Sequence, residues 1–396
     1  MNPKTGKLRI IVGGLVGQFP LGGVAWDYFH YVLGLHELGH EVIYHEDTWV
    51  WPYDPVQQMP VDKPDYTVNF LSNFFSTYAP ALSDRWHYVL LHETHYGMTG
   101  EQFADFAKTA DIFLNVSGAC FIPEELSAQC VKVFLDTDPG YNQIMLAEKF
   151  SWAENVQRWA ELVSRHDRHF TYAENMYRPD CRVPRGDFDW KTTRCVVTLP
   201  QWSKIRSAPP PAFSPMTTVM TWDWFKGPVV YEGVQYETKV VEYEKFHDLP
   251  KRSGIPLALA VGGLKTPHER IHGDGWQLLN AHETTLTPQS YQSLIRGSAG
   301  EWSVAKNIYV AMRTGWFSCR TACYLAAGRP AVVQDTGWSK FIPSGVGVVA
   351  FGTMDEALAG LKSVWGNLPK HRAAAYEIAR EFLAPDRVLT KLIQDI

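Results

Sequence analysis

The sequence lacks most of the signatures that would settle its chemistry at a glance. Its six cysteines (Cys120, Cys130, Cys181, Cys195, Cys319 and Cys323) include no C-x-x-C pair. That removes thiol-clamp zinc and thioredoxin-like patterns and leaves reduced thiols in a cytoplasmic protein as the simplest expectation. No block of Lys or Arg stands out in a chain of net charge −5, which argues against nucleic acid as a partner. No apolar run approaches the length of a membrane span, so no transmembrane segment is expected. The opening MNPKTGKLRIIVGG reads as a first strand rather than a signal peptide. A G-x-G-x-x-G fingerprint is missing. So is a helical H-E-x-x-H, since His92-Glu93-x-His95 has a different spacing and no evident third ligand, and no metal is expected.

What is present is size and aromatic mass. The 396 residues exceed one ordinary core, so two domains are expected. Fifteen Trp, 18 Tyr and 20 Phe supply packed interiors, and a surplus of Trp also suits a sugar-stacking or aromatic-lined cleft. Short apolar runs recur as strand candidates: Leu8–Gly14, Glu41–His45, His87–Leu91, Ile112–Val116, Val131–Leu135, His169–Tyr172 and Val196–Leu199. Helical patterns fall between them at Trp26–Gly39, Glu101–Lys108 and Asn142–Ala160. The proline-rich SAPPPAFSP, between Trp202 and Ser214 at its core, is the linker candidate. A second series follows: Val229–Tyr243 as a hairpin or a peripheral pair of strands, then strands at Pro256–Val261, Trp276–Asn280, Glu301–Ala305, Ala331–Gln334 and Val348–Phe351. Helices are expected at Pro288–Arg296, Ser318–Ala327, Met354–Val364 and Lys370–Ile396. Such alternation predicts an α/β protein with two Rossmann-like halves facing a cleft. The Gly13-Gly14 and Gly262-Gly263 turns are expected to face each other across it.

The most informative segment is GWFSCRTACYLAAGRPAVVQDTGWSKFIP, Gly315 to Pro343. It reads as a loop feeding a helix N-terminus, then a strand, then a polar turn. Unpaired amides and the helix dipole make such an N-terminus a site for a phosphate. Arg320, with the hydroxyls of Ser318 and Thr321, would add charge-assisted hydrogen bonds to a diphosphate.

With LRIIVGGLVGQFPLGGVAWDYFHYVLGLHELGHEVIYHED at the start and PLALAVGG at the second half, this segment makes the chain resemble glycosyltransferases of the GT-B fold. PLALAVGG is similar to the first strand of that fold's nucleotide-binding domain. The resemblance implies an N-terminal acceptor domain over 1–205, a donor domain over 206–370, and C-terminal helices, 371–396, packing back toward the first. It implies transfer from a UDP-, dTDP- or GDP-linked sugar to a small-molecule or glycan acceptor, with no tightly bound cofactor. Many retaining members carry glutamates about where Gly315 and Cys323 stand here, so the anomeric outcome stays open. A sugar-nucleotide epimerase of similar build and a catalytically silent nucleotide- or carbohydrate-binding protein also remain open.

The expected donor residues are Ser318, Arg320 and Thr321 at the phosphates. Lys306 and Arg313 neutralise the leaving diphosphate, and Glu301 accepts the ribose hydroxyls. Gly263, Asp335, Thr336 and Gly337 lie at the adjoining turns. Gly14, Gly17, Gly22 and Gly23 form a flexible loop on the acceptor side, with Asp27 near the start of the next helix as either an acceptor contact or a first-turn carboxylate. Asp136 and Asp138, at the end of a strand, are candidate bases for an acceptor hydroxyl if the reaction inverts, and His95 beside Glu93 is another. Replacing Arg320 with Ala is expected to abolish nucleotide binding with little change in unliganded stability.

Overall fold

Apolar runs of four to seven residues, too short for core helices and bounded by glycine or polar turns, become strands buried on both faces. The computed structural model describes residues 6–148, 153–222 and 228–396. In the first half, eight strands form one sheet: β1 (Arg9–Gly13), β2 (Glu41–Asp47), β3 (Trp86–Leu90), β4 (Thr94–Gly97), β5 (Ile112–Val116), β6 (Val131–Asp136), β7 (Arg168–Thr171) and β8 (Trp190–Thr192). Their order is β8-β7-β6-β5-β1-β2-β3-β4, parallel throughout except for the β3–β4 hairpin. The second sheet holds β9 (Met216–Thr221), β10 (Leu257–Gly262), β11 (Gln277–Asn280), β12 (Gly300–Ser303), β13 (Ala331–Gln334) and β14 (Val348–Phe351). Its order is β11-β10-β9-β12-β13-β14, all parallel. Each sheet reverses direction once, between β1 and β5 and between β9 and β12. These are the points where an open α/β sheet presents a crevice to a ligand.

Helix α1 (Gly22–Glu37) is apolar on most of its circumference, because it is covered on several sides. One side meets the first sheet through Phe29, which packs edge-on to Tyr44 at 5.1 Å. Another meets the second domain: the Trp26 indole N–H donates to Pro288 O at 3.3 Å. Position 22 has to be glycine, since a Cβ there would fall 2.2 Å from Thr287 O. A third side meets α6 (Pro385–Asp395), whose Leu389 and Pro385 close on Gly34. The last helix of the chain therefore returns to the first domain.

Four expectations are corrected by the architecture. PLALAVGG is β10, not the first strand of its sheet; Met216–Thr221 precedes it and lies at the centre. Val196–Leu199 forms no strand but a buried connection whose Val197 N–H donates to Leu383 O at 2.9 Å. The helix expected over Asn142–Ala160 is two, Tyr141–Ala147 and Glu154–Ser164, and residues 149–152 lie outside the described ones. The two Gly-Gly turns do not meet. Gly14 is covered by Tyr28 and Tyr44, Gly263 is exposed, and it is Gly22 and Gly23 that touch the second domain.

Candidate functional site

A cavity of about 580 Å³ lies between the domains, at the carboxyl ends of both sets of strands. That is ample for a bound metabolite. The first domain lines it with Leu21, Gly23 and Asp27 from the start of α1 and with Thr137 and Asp138 after β6. The second contributes the end of β9, Lys239 at the head of α2 (Lys239–Glu244), Tyr291 of α3 (Pro288–Arg296), Lys306, and Ser318 to Arg320 at the head of α5 (Cys319–Ala326).

Helix α5 starts where the sequence places it. Ser318 is its N-cap by backbone geometry, yet its side chain makes no capping hydrogen bond, so the hydroxyl is left to the cavity. The first amides of α5 consequently lack their usual side-chain partner. Arg320 follows, held in place by three acceptors: Glu301 Oε1 at 2.6 Å from Nε, Val219 O at 2.7 Å from Nη1 and Ser303 Oγ at 2.5 Å from Nη2. A guanidinium has five N–H groups, so two remain. Burial is the largest single influence and opposes its charge, but Glu301 beside it, together with Tyr291 and Tyr324, keeps Arg320 above its ordinary pKa.

Lys239 and Lys306 complete a triad of cations with Arg320. Burial, with the nearby charges of Arg320 and Lys306, pushes Lys239 well below the usual lysine range, with Glu301 a smaller opposing influence. Arg320 and Lys306 have carboxylate partners, so Lys239 is the cation whose charge the cavity disfavours, and a diphosphate there relieves that cost. Lys306 lies on the rim, where its ammonium reaches both carboxylate oxygens of Asp138 at 2.9 and 3.0 Å. Tyr309, in the first turn of α4 (Asn307–Ala311), also donates to Asp138. With the Trp316 indole donating to Thr137 O at 3.2 Å, these contacts latch the two domains across the cavity.

Asp27 is the carboxylate that faces the cations. Its side chain is exposed to the cavity, with the protein of both walls crowded around it. Removal from bulk water pushes its carboxyl up to about 6, against smaller opposing effects of a hydrogen bond from Cys319 and the charge of Arg320. Because α1 begins at Gly22, Asp27 stands in the second turn and is not placed there by the helix dipole.

Of the other expected residues, several serve the walls rather than the cavity. Glu301 is fully buried behind Arg320 and is not open to a ribose. Removing Arg320 would strand that carboxylate at a cost of about 3–5 kcal/mol, so the expectation of unchanged unliganded stability is also corrected. Thr321 is buried beneath the helix. Asp136 is fully buried and accepts from Asn142, Gln143 and Thr171, each at 2.6 Å, and from the Asp138 N–H at 3.0 Å; burial raises its pKa, and its oxygens are saturated. It shapes the turn that presents Asp138. His95 lies away from the cavity, stacked on His87 over the edge hairpin. Gly14 and Gly17 are tied to Tyr44 and Glu46, with the Gly17 N–H donating to Glu46 at 2.6 Å. Arg313 and Asp335 pair at 3.2 Å and join Asp180 of the first domain. Gly337, at φ +103, donates its N–H to the Asp335 carboxylate in an Asx turn, while the Thr336 hydroxyl donates to Trp316 O. Gly263 is exposed at the end of β10. Lys239, Tyr291 and Tyr309 are among the cavity residues that the sequence did not disclose.

No protein-family model matches the chain, and no curated protein matches it by sequence. Solved structures do match over nearly its whole length. AviGT4, a glycosyltransferase involved in avilamycin A biosynthesis, aligns with a TM-score of 0.50 at 12% identity over 98% of this chain and 96% of that one. An alpha-glucosyltransferase in complex with UDP and a 13-mer DNA aligns at 0.56 and 11% identity over 99% of each chain. Sucrose-phosphate synthase from Thermosynechococcus elongatus aligns at 0.50 and 11% identity over 97% of each. Two facing Rossmann-type domains with the final helix crossing back define the GT-B fold, and this chain has it. Among the described residues no helix is long and apolar enough to cross a membrane.

Proposed function

We propose that the protein is a glycosyltransferase that moves a sugar from a nucleoside diphosphate to an acceptor hydroxyl. The observation that carries this reading is the cation triad of Lys239, Arg320 and Lys306 around the uncapped head of α5, opposite Asp27. Similarity to an alpha-glucosyltransferase bound to UDP, and in another structure to UDP-glucose, supports the choice of donor. The donor is UDP-, dTDP- or GDP-linked. Residues 206–370 form the donor domain, 1–205 the acceptor domain, and 371–396 the return to the first. The six free cysteines suit a reducing, cytoplasmic setting.

In this reading the bond between the anomeric carbon and the diphosphate breaks with positive charge developing on the sugar. The leaving oxygens gain charge, which the triad and the α5 amides balance. The acceptor hydroxyl attacks the anomeric carbon and Asp27, poised near neutrality, takes its proton. Because the positive groups that face the diphosphate are side chains and helix amides, activity should persist in EDTA.

A thermal-shift panel of UDP, dTDP, GDP and ADP tests the donor assignment. One nucleotide should raise the melting temperature by mass action. No shift with any of the four would contradict the reading.

A further inference from the structure

The loops after β2, β3 and β5 carry an aromatic surface that donor binding does not use. Trp49 is 56% exposed, Trp51 47% and Phe121 37%, which is unusual for large rings in a chain that buries most of its aromatics. The surface is fixed rather than loose. His92 stands edge-on to Trp49 at 4.9 Å and 5.0 Å from Phe121. Its ring bonds to the Asp47 carboxylate, which also accepts the Trp49 N–H, and the Phe121 N–H donates to Asp47 O at 2.8 Å. Backbone strain gathers in the same place. Of the eight non-glycine residues with positive φ among the described ones, five are Trp49, Gln58, Leu91, His92 and Ser117. Such conformations persist where a binding geometry is over-determined by its surroundings.

Charge narrows what this surface takes. Residues 47–62, 91–99 and 117–126 contain no Lys or Arg, but they hold Asp47, Asp54, Asp62, Glu93, Glu124 and Glu125. A polyanion such as DNA, or an anionic membrane, would be repelled. A pyranose ring fits: its C–H face packs on an indole, and neighbouring carboxylates accept its hydroxyls. The surface is also tied to the cavity wall. The Tyr53 N–H donates to Gln18 O at 2.9 Å, so the aromatic loop rests on the segment that ends at Leu21 in the cavity wall. From the end of β6, where Asp138 stands, to the end of β2 is three strand spacings, about 14 Å.

We propose that Trp49 and Trp51 form a distal acceptor subsite for an uncharged oligosaccharide several rings long, whose reacting end lies at Asp27. This rests on the glycosyltransferase reading and names its acceptor class. The test titrates the full chain with maltohexaose, cellohexaose and chitohexaose, and with glucose and N-acetylglucosamine, by calorimetry and tryptophan fluorescence. At least one hexasaccharide should bind saturably, with its monosaccharide at least tenfold weaker. Trp51→Ala should weaken it at least tenfold, and Phe121→Ala less, while the UDP-induced rise in melting temperature is unchanged in both. That unchanged rise shows that the variants are folded. No saturable binding by any hexasaccharide, or full affinity in Trp49→Ala and Trp51→Ala alike, overturns the proposal. So does binding of a 13-mer duplex or of phosphatidylcholine vesicles that is lost with the same substitutions. If a hexasaccharide binds through Trp51 but UDP produces no shift in the unsubstituted protein, the subsite stands and the donor reading fails.

Discussion

The two walls of the cleft share a parallel-sheet topology and differ in charge. The second domain faces the cavity with Lys239, Lys306 and Arg320, set at helix heads, with Arg320 held by the buried Glu301. The first domain faces it with Asp27 and Asp138, and residues 47–62, 91–99 and 117–126 of its outer loops add tryptophans and further carboxylates without a Lys or Arg. One wall is arranged to hold a negative leaving group, the other to accept a proton from a neutral nucleophile. A common topology therefore fixes where the ligands lie, while the side chains at the strand ends decide which ligand each wall receives.

Breaking the acidic wall should have the largest effect. Asp27→Asn should lower kcat by roughly 10²–10⁴-fold with UDP affinity retained, the range of a lost general base. In the unsubstituted enzyme, kcat/KM should rise with pH through about 6 as Asp27 ionises, and level off above it. The slope should vanish in Asp27→Asn, and a profile that keeps it would assign the proton to another group.

Breaking the basic wall at Arg320 mixes two effects. Arg320→Ala should lower unfolding stability by about 3–5 kcal/mol, because Glu301 is left buried without a partner. Chemical denaturation measures this directly. Pairing it with Glu301→Leu should recover much of the loss, whereas nucleotide affinity stays low.

Lys239 separates binding from stability. Its depressed pKa means that the unfolded chain holds the proton more tightly, so the charge opposes folding at neutral pH and stability rises as pH rises. Lys239→Met should therefore leave the unliganded melting temperature equal or higher. It should weaken UDP by roughly 10- to 100-fold, as one charge-assisted contact is worth about 1.5–3 kcal/mol. The smallest effect belongs to the latch. Asp138→Asn removes a rim ion pair that is about one quarter exposed, while the Asn oxygen still accepts from Tyr309, so UDP affinity should change by less than about threefold in calorimetry.

Much of the architecture was legible in the sequence, because buried parallel strands are short apolar runs and helix heads follow polar caps. Ile112–Val116, Ala331–Gln334 and Val348–Phe351 match their runs residue for residue. Met216–Thr221 escaped notice because MTTVMT places threonines in a central strand. Thr217 is buried there only because Ser298 and Tyr324 complete its hydrogen bonds at 2.6 Å, partners 81 and 107 residues away. Val196–Leu199 misled in the opposite direction, since burial against the C-terminal helices needs apolar residues as much as a strand does. At the site, the head of α5 was visible as a local pattern. Lys239 was not, because nothing in QYETKVVEY distinguishes a cavity lysine from a solvated one. Asp136 and Asp138 looked alike in D-T-D-P-G, and only the fold buries one among amides and ties the other to Lys306.

The central claim is that the cationic wall holds a diphosphate. Calorimetric titration of the protein with UDP and with uridine tests it most directly. UDP should bind at least tenfold more tightly than uridine, and Lys239→Met should erase most of the difference. Equal affinities for the two, or a difference that survives the substitution in full, would contradict the account.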